Sequence, residues 1–240
     1  MSHSPSYNNP EFDQFAENYE EALDKGIAVS GESKEYFAKS RVDWLARIFR
    51  SPGFTPQRAM DFGCGTGTAT PFLLELPGLQ DLVGVEVSPK SLEVARRLHG
   101  GPRVQFRLCE EHQPAGDLDF AFCNGVFHHI PLTERANAVN YLLTSLRPGG
   151  FFALWENNPW NPGTRYVMSR IPFDRDAIMV SSRAAAAMLK EGGFEIARTD
   201  FLFFFPRVLR WLRGMDPLLR KLPLGAQYLV LARRPHGRGI

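Results

Sequence analysis

From position 58 onward the chain alternates short apolar runs with helical stretches, and this alternation restricts the fold more than any other feature. The runs fall at 58–61, 81–87, 103–108, 118–123, 150–155, 194–203 and 226–232. Helical patterns lie between them at 68–76, 89–99, 133–146 and 181–192. Strands separated by helices of this length build an α/β, mostly parallel sheet with helices on both faces. Ligands of such sheets sit at the carboxyl ends of the strands, near the point where strand order reverses. Ahead of position 57 the sequence reads as a helical N-terminal cap. One helix is predicted at 10–25, with Phe12, Phe15, Tyr19 and Leu23 at helical spacing and Gly26 to end it. Another is predicted at 33–50, with Phe37, Val42, Trp44, Leu45 and Ile48 facing a core, and Ser51-Pro52-Gly53 stops it.

The first run ends in Asp61-Phe62-Gly63-Cys64-Gly65-Thr66-Gly67. Glycines between a strand and a helix let backbone approach a ligand closely. A dinucleotide fingerprint needs Gly or Ala where Thr68 stands, and Asp61 would repel a pyrophosphate. A carboxylate there suits a ligand with an ammonium group and no phosphate, as in S-adenosylmethionine (SAM). Glu86 ends the second run, nineteen residues beyond Gly67, where an acid can accept from both ribose hydroxyls. A dinucleotide oxidoreductase is the rival reading. Cys64 is a small loop filler, because no base is spaced to activate it.

With these residues in view, the chain resembles the class I SAM-dependent methyltransferases over roughly residues 57–200. DFGCGTG is similar to that family's first motif and VEVSPKSLEVARR to its second. LDFAFCNGVFHHI and LRPGGFFALWE resemble the segments around its fourth and fifth strands. The resemblance implies a Rossmann-like sheet of seven strands. It also implies that Gly63, Cys64, Gly65 and Gly67 cradle SAM and that Asp61 serves its methionine end. Glu86 would take the ribose, Val87 and Ser88 would lie along the adenine, and Glu110 would meet the adenine amino group. Asn124 would sit beside the methionine moiety. Tyr19 would either close over the cofactor or pack as a core aromatic. The expected product is S-adenosylhomocysteine.

Transfer from a sulfonium needs alignment and exclusion of water, and needs a base only where the acceptor must lose a proton. His128 and His129 can take a hydroxyl proton near neutral pH, or they can pack their loop. Glu156, followed by two Asn-Pro steps, can act as base or cap loop amides, and Trp160 can floor a pocket. Adjacent histidines lack the i, i+4 spacing of a metal site, so no metal is expected. The expectation is methyl transfer to a small or medium-sized organic acceptor, at oxygen. N- or C-methylation, a lipid-linked substrate and a non-catalytic SAM-binding regulator are the alternatives.

Charge sharpens the partner question. The net charge is only +2, which disfavours a nucleic-acid partner. Yet residues 1–24 hold six acids and no Lys or Arg, while 201–240 hold seven Arg and one Lys against Asp216. The basic stretch 206–224 is inserted between the last two strands and mixes Leu, Trp and Arg at helical spacing. It can be a packed helix pair, a wall of the acceptor pocket or a peripheral contact with anionic lipid. Three cysteines without paired spacing, and no secretory signal, make a cytoplasmic chain the expectation. The whole of 1–240 reads as one methyltransferase domain, with a cap (1–56), a SAM-binding core (57–200) and the last strands with their insertion (201–240). Oligomeric state is not legible.

Overall fold

The computed structural model describes residues 30–51, 53–171 and 177–236. The predicted helix at 10–25, with Tyr19, lies outside the described residues. Seven strands form one sheet in the order β3-β2-β1-β4-β5-β7-β6. They are β1 (Arg58–Phe62), β2 (Asp81–Glu86), β3 (Val104–Leu108), β4 (Leu118–Asn124), β5 (Leu146–Asn157), β6 (Glu195–Leu202) and β7 (Gln227–Arg233). β1 to β5 run parallel, and β7 inserts antiparallel between β5 and β6.

Alternate residues of each strand feed two separate cores. Met60, Phe62, Ala121, Cys123, Phe152 and Leu154 point to one face, against α4 (Arg135–Ser145) and α6 (Ser182–Glu191). Ala59, Phe120, Phe122, Ala153 and Trp155 point to the other, against α1 (Lys34–Arg50) and α3 (Pro89–His99). Burial on both faces explains why the strands read as apolar runs rather than alternating ones.

The helix at 33–50 is realised as α1. The Ser33 hydroxyl accepts from the Tyr36 amide at 3.3 Å, and Ala38, Val42, Leu45 and Phe49 form its buried stripe. The helix predicted at 68–76 shrinks to α2 (Thr70–Leu73), because turns follow it and Pro77-Gly78 cannot continue a helix. The Asn-Pro steps contain an element the sequence reading missed. Asn161 caps α5 (Pro162–Arg170), its Oδ1 accepting from the Thr164 amide at 2.9 Å, with Pro162 in the first turn.

The insertion between β6 and β7 is not a packed helix pair. It is a 3₁₀ segment (Arg207–Met215), broken at Leu209, and one turn of α7 (Asp216–Leu219), with no buried residue in either. Its anchor is Asp200, fully buried in β6. The Asp200 carboxylate accepts from the Trp44 indole at 3.2 Å and pairs with Arg198 at 2.7 Å and Lys221 at 3.1 Å. One carboxylate thus ties α1, the edge strand and the insertion together. Replacing it with Ala leaves the buried Trp44 indole without its acceptor and releases three partly exposed cations, Arg198, Arg220 and Lys221, so Asp200→Ala should lower unfolding stability by about 1–3 kcal/mol in urea titrations.

Candidate functional site

Strand order reverses between β1 and β4, and two adjoining cavities open at the carboxyl ends there. The larger, about 590 Å³, runs from Asp61, Gly63 and Gly65 to α1, α5 and the start of the insertion. The smaller, about 110 Å³, is bordered by Gly65, Glu86, Val87, Cys109, Asn124 and His129.

Asp61 is the most informative group. It is buried at the end of β1, and its Oδ2 has no hydrogen-bond partner. Burial first, and then the neighbouring Glu86 carboxylate, push its pKa up to about 7. Asn124, at the end of β4, likewise buries an unpartnered Oδ1. Two orphaned acceptors beside one cavity describe a place for a donor, and the elevated acid describes a place for a cation. These residues fit the ammonium end of SAM.

The glycine loop divides its labour. Gly63, Gly65 and Gly67 all have positive φ. A Cβ on Gly65 would meet open space, which leaves the cavity clear for a ligand, whereas one on Gly63 would strike Val126 at 2.4 Å. Gly67 borders neither cavity and packs toward His99, Thr70 and Ala95, so it serves the turn into the helix. Glu86 binds the loop, its Oε2 accepting from the Gly65 amide at 3.0 Å and its Oε1 from Val87 and Ser88 at 2.7 and 3.1 Å.

Several expected positions move. Ser88 caps α3, accepting from the Ser91 amide, and borders neither cavity. Glu110 is exposed in the turn after β3 and borders neither cavity, and its neighbour Cys109 lines the smaller one. Cys64 borders the larger cavity with its thiol pKa raised by burial, which suits a filler. Trp160 stands half-exposed beside Arg183, outside both cavities.

His128 and Glu156, the expected candidates for a base, lie buried against each other. They are 4% and 1% exposed, joined at 2.6 Å between Nδ1 and Oε2, and neither borders a cavity. Glu156 Oε1 also accepts from the Phe127 amide at 2.8 Å. The pair fastens the end of β5 beneath the 125–130 loop, which forms one side of the smaller cavity. His129 does face that cavity, on the side of Glu86 and Val87.

The far wall of the larger cavity comes from residues the sequence reading did not single out. Arg41 of α1 is buried there and donates through Nε to Gln227 at 2.9 Å, and Gln227 donates to Asn157 at 3.0 Å. Phe203 follows β6 with φ of 63°, a region that strains a Phe backbone. Its ring lies 5.0 Å from that of Phe37 and 6.0 Å from the Arg41 guanidinium. Arg213 of the insertion reaches back to Glu32 at 2.9 Å and over the Tyr36 ring at 4.6 Å. The signals in the sequence were the apolar run from Phe201 to Phe205 and the insertion after it, one reading of which was a pocket wall.

Asp61 offers a direct test. Asp61→Asn should keep the fold and weaken SAM binding roughly ten- to a hundredfold, as expected for losing a hydrogen bond between charged groups. In the unsubstituted protein, protonation competes with a cationic ligand. SAM affinity measured by calorimetry should therefore fall as pH drops below about 7, and this dependence should vanish in Asp61→Asn.

Comparison with known proteins agrees with this geometry. A methyltransferase-domain family model matches residues 59–150. The trans-aconitate 2-methyltransferase of Methylobacterium nodulans is 29% identical over 210 residues, covering 80% of this chain and 80% of that protein. The one from Azoarcus is 30% identical over 148 residues, 61% of this chain and 56% of that protein. A SAM-dependent methyltransferase structure from Archaeoglobus fulgidus shares the fold with a TM-score of 0.62, over 84% of this chain and 95% of that one, at 15% identity. The glycine loop, the orphaned carboxylate at the strand reversal and these similarities place the chain in the class I, Rossmann-like SAM-dependent methyltransferase superfamily, with SAM as its cofactor.

Proposed function

We propose that this enzyme methylates a carboxylate oxygen of a small or medium-sized organic acid. When bound, SAM supplies a methyl group on a sulfonium centre that is itself a good leaving group. In this reading Asp61 and Asn124 hold the ammonium of its methionine end. Arg41, a buried cation on the same cavity, complements the carboxylate of that zwitterion. Gly65 leaves room for the cofactor's passage, and Glu86, Val87 and His129 border its ribose and adenine side. Asn157, Thr164, Gln227 and the Phe203–Phe205 wall surround the space beyond, where the acceptor would lie. The walls orient the acceptor and keep water out.

The observation that carries the reading is the sealed His128–Glu156 pair. Of the three side chains suited to take a proton, His128 and Glu156 are committed to each other below the site, and His129 borders the smaller cavity and not the larger one where the acceptor would lie. An alcohol or phenol acceptor needs such a base, but a carboxylate is already ionised near neutral pH and needs none. The preference for oxygen therefore stands on different ground from the one the sequence offered. The relatives named for trans-aconitate support an acidic acceptor. The three free, buried cysteines support a reducing, cytoplasmic setting.

The test is turnover with SAM and a panel of carboxylic acids (trans-aconitate included), amines and phenols. Formation of S-adenosylhomocysteine with an acid, and a product whose methyl group is released by mild alkali, is the expected result. An alkali-stable methyl product would transfer the reading to nitrogen or carbon. Binding of SAM without turnover on any acceptor would favour a regulatory SAM-binding protein. His128→Asn should lower kcat by less than about tenfold and leave its pH profile unchanged, whereas loss of a general base typically removes 10²–10⁴-fold.

A further inference from the structure

The described residues expose twelve large apolar side chains, and seven of them fall within 208–224. Val208, Trp211 and Leu218 are 82%, 75% and 79% exposed, with Leu209, Met215, Leu222 and Leu224 beside them in sequence. Apolar exposure this dense is unusual on a protein surface and marks a contact. The same stretch carries Arg207, Arg210, Arg213, Arg220 and Lys221 against one acid, Asp216. Arg213 is spent on Glu32, and Lys221 and Arg220 lean on the buried Asp200. Arg207 gives one hydrogen bond to the Gly31 carbonyl and remains exposed, and Arg210 is exposed next to Trp211.

We propose that the 206–224 insertion is a docking surface for an anionic lipid bilayer. Each part of the chemistry meets a part of such a surface. Val208, Trp211 and Leu218 would enter the boundary between headgroups and acyl chains, where an indole is favoured for its apolar body and polar edge. Arg207 and Arg210 would stay among the anionic headgroups, with their aliphatic stems along the apolar boundary. No helix among the described residues is long and apolar enough to cross a membrane, so the contact is peripheral. An acidic protein partner would satisfy the arginines but would need its own apolar patch shaped to a kinked 3₁₀ segment. A fluid lipid boundary needs no such match.

The position of the surface gives it a consequence. The residues that open the insertion, Phe204, Phe205 and Pro206, also line the larger cavity, and so does Arg213. Docking through Val208 and Trp211 would hold that wall of the cavity at the membrane interface. It would favour acceptors that partition there over fully water-soluble ones. The docking itself does not depend on which acceptor is methylated.

The experiment is co-sedimentation of the full chain with vesicles of phosphatidylcholine containing phosphatidylserine, and with vesicles of phosphatidylcholine alone. Binding is expected to the anionic vesicles, to weaken as salt is raised, and to shift tryptophan emission to the blue. Arg210→Gln should weaken it roughly fivefold, the effect of one cation near an anionic surface. The triple variant Val208→Ser, Trp211→Ser, Leu218→Ser should abolish it. All four positions are exposed, and SAM-induced thermal stabilisation of each variant reports an intact fold. Absence of binding to anionic vesicles, or undiminished binding by the triple variant, would overturn the proposal. So would a concentration-dependent dimer that the triple variant loses while vesicles are ignored, because the occupant would then be a second copy of the chain.

Discussion

Parallel strands buried on both faces can be joined only by crossovers, and the connections that leave the paired strands β1 and β4 run in opposite directions along the sheet. At that reversal no connection covers the strand ends, so a crevice is obligatory. Both cavities open there. Asp61 and Asn124 are there because they stand at the carboxyl ends of two neighbouring strands, Asp61 next to last in β1 and Asn124 last in β4. Their unpartnered oxygens are tolerated because a cationic ligand can satisfy them. In the free protein two acids, Asp61 and Glu86, end adjacent strands, and the penalty appears as the raised pKa of the more buried one. A cation beside Asp61 would remove that penalty, so the crevice favours a positively charged ligand.

The cofactor half of the site was legible in the sequence because its chemistry fixes both spacing and backbone geometry. Glycines must stand where φ is positive, and the acids must stand at strand ends. Linear order therefore carries the answer, and Asp61, Gly65 and Glu86 occupy the positions their spacing implied. Sequence is least informative where the chain leaves a strand. The resemblance implies Glu110 beside the adenine, yet the turn after β3 exposes it while Cys109 lines the smaller cavity. The pairing of His128 with Glu156, across 28 positions, is invisible until β4 and β5 lie side by side.

The acceptor half was hardly legible, for a physical reason. Its wall is assembled from α1, the start of α5, the end of β6 and the start of β7. No two of those segments are adjacent in sequence, and none carries a motif. Arg41 reads as a polar residue on a helix, Gln227 as the first residue of a strand and Phe203 as part of an apolar run. Only tertiary packing turns them into one surface. The Asn-Pro steps show the same limit on a smaller scale. Asn158 donates to the Pro223 and Gly225 carbonyls and Asn161 to that of Leu224, so the turn read as facing a substrate mostly secures the returning end of the insertion.

The insertion is a detour within a hairpin at the far edge of the sheet, bounded by strands whose own pairing is complete without it. Changes in its length or composition can reshape the cavity wall formed by Phe204, Phe205, Pro206 and Arg213 while the carboxyl ends of β1, β2 and β4 stay as they are. The shape of the larger cavity can therefore change through one loop, with the sheet and the glycine loop unaltered.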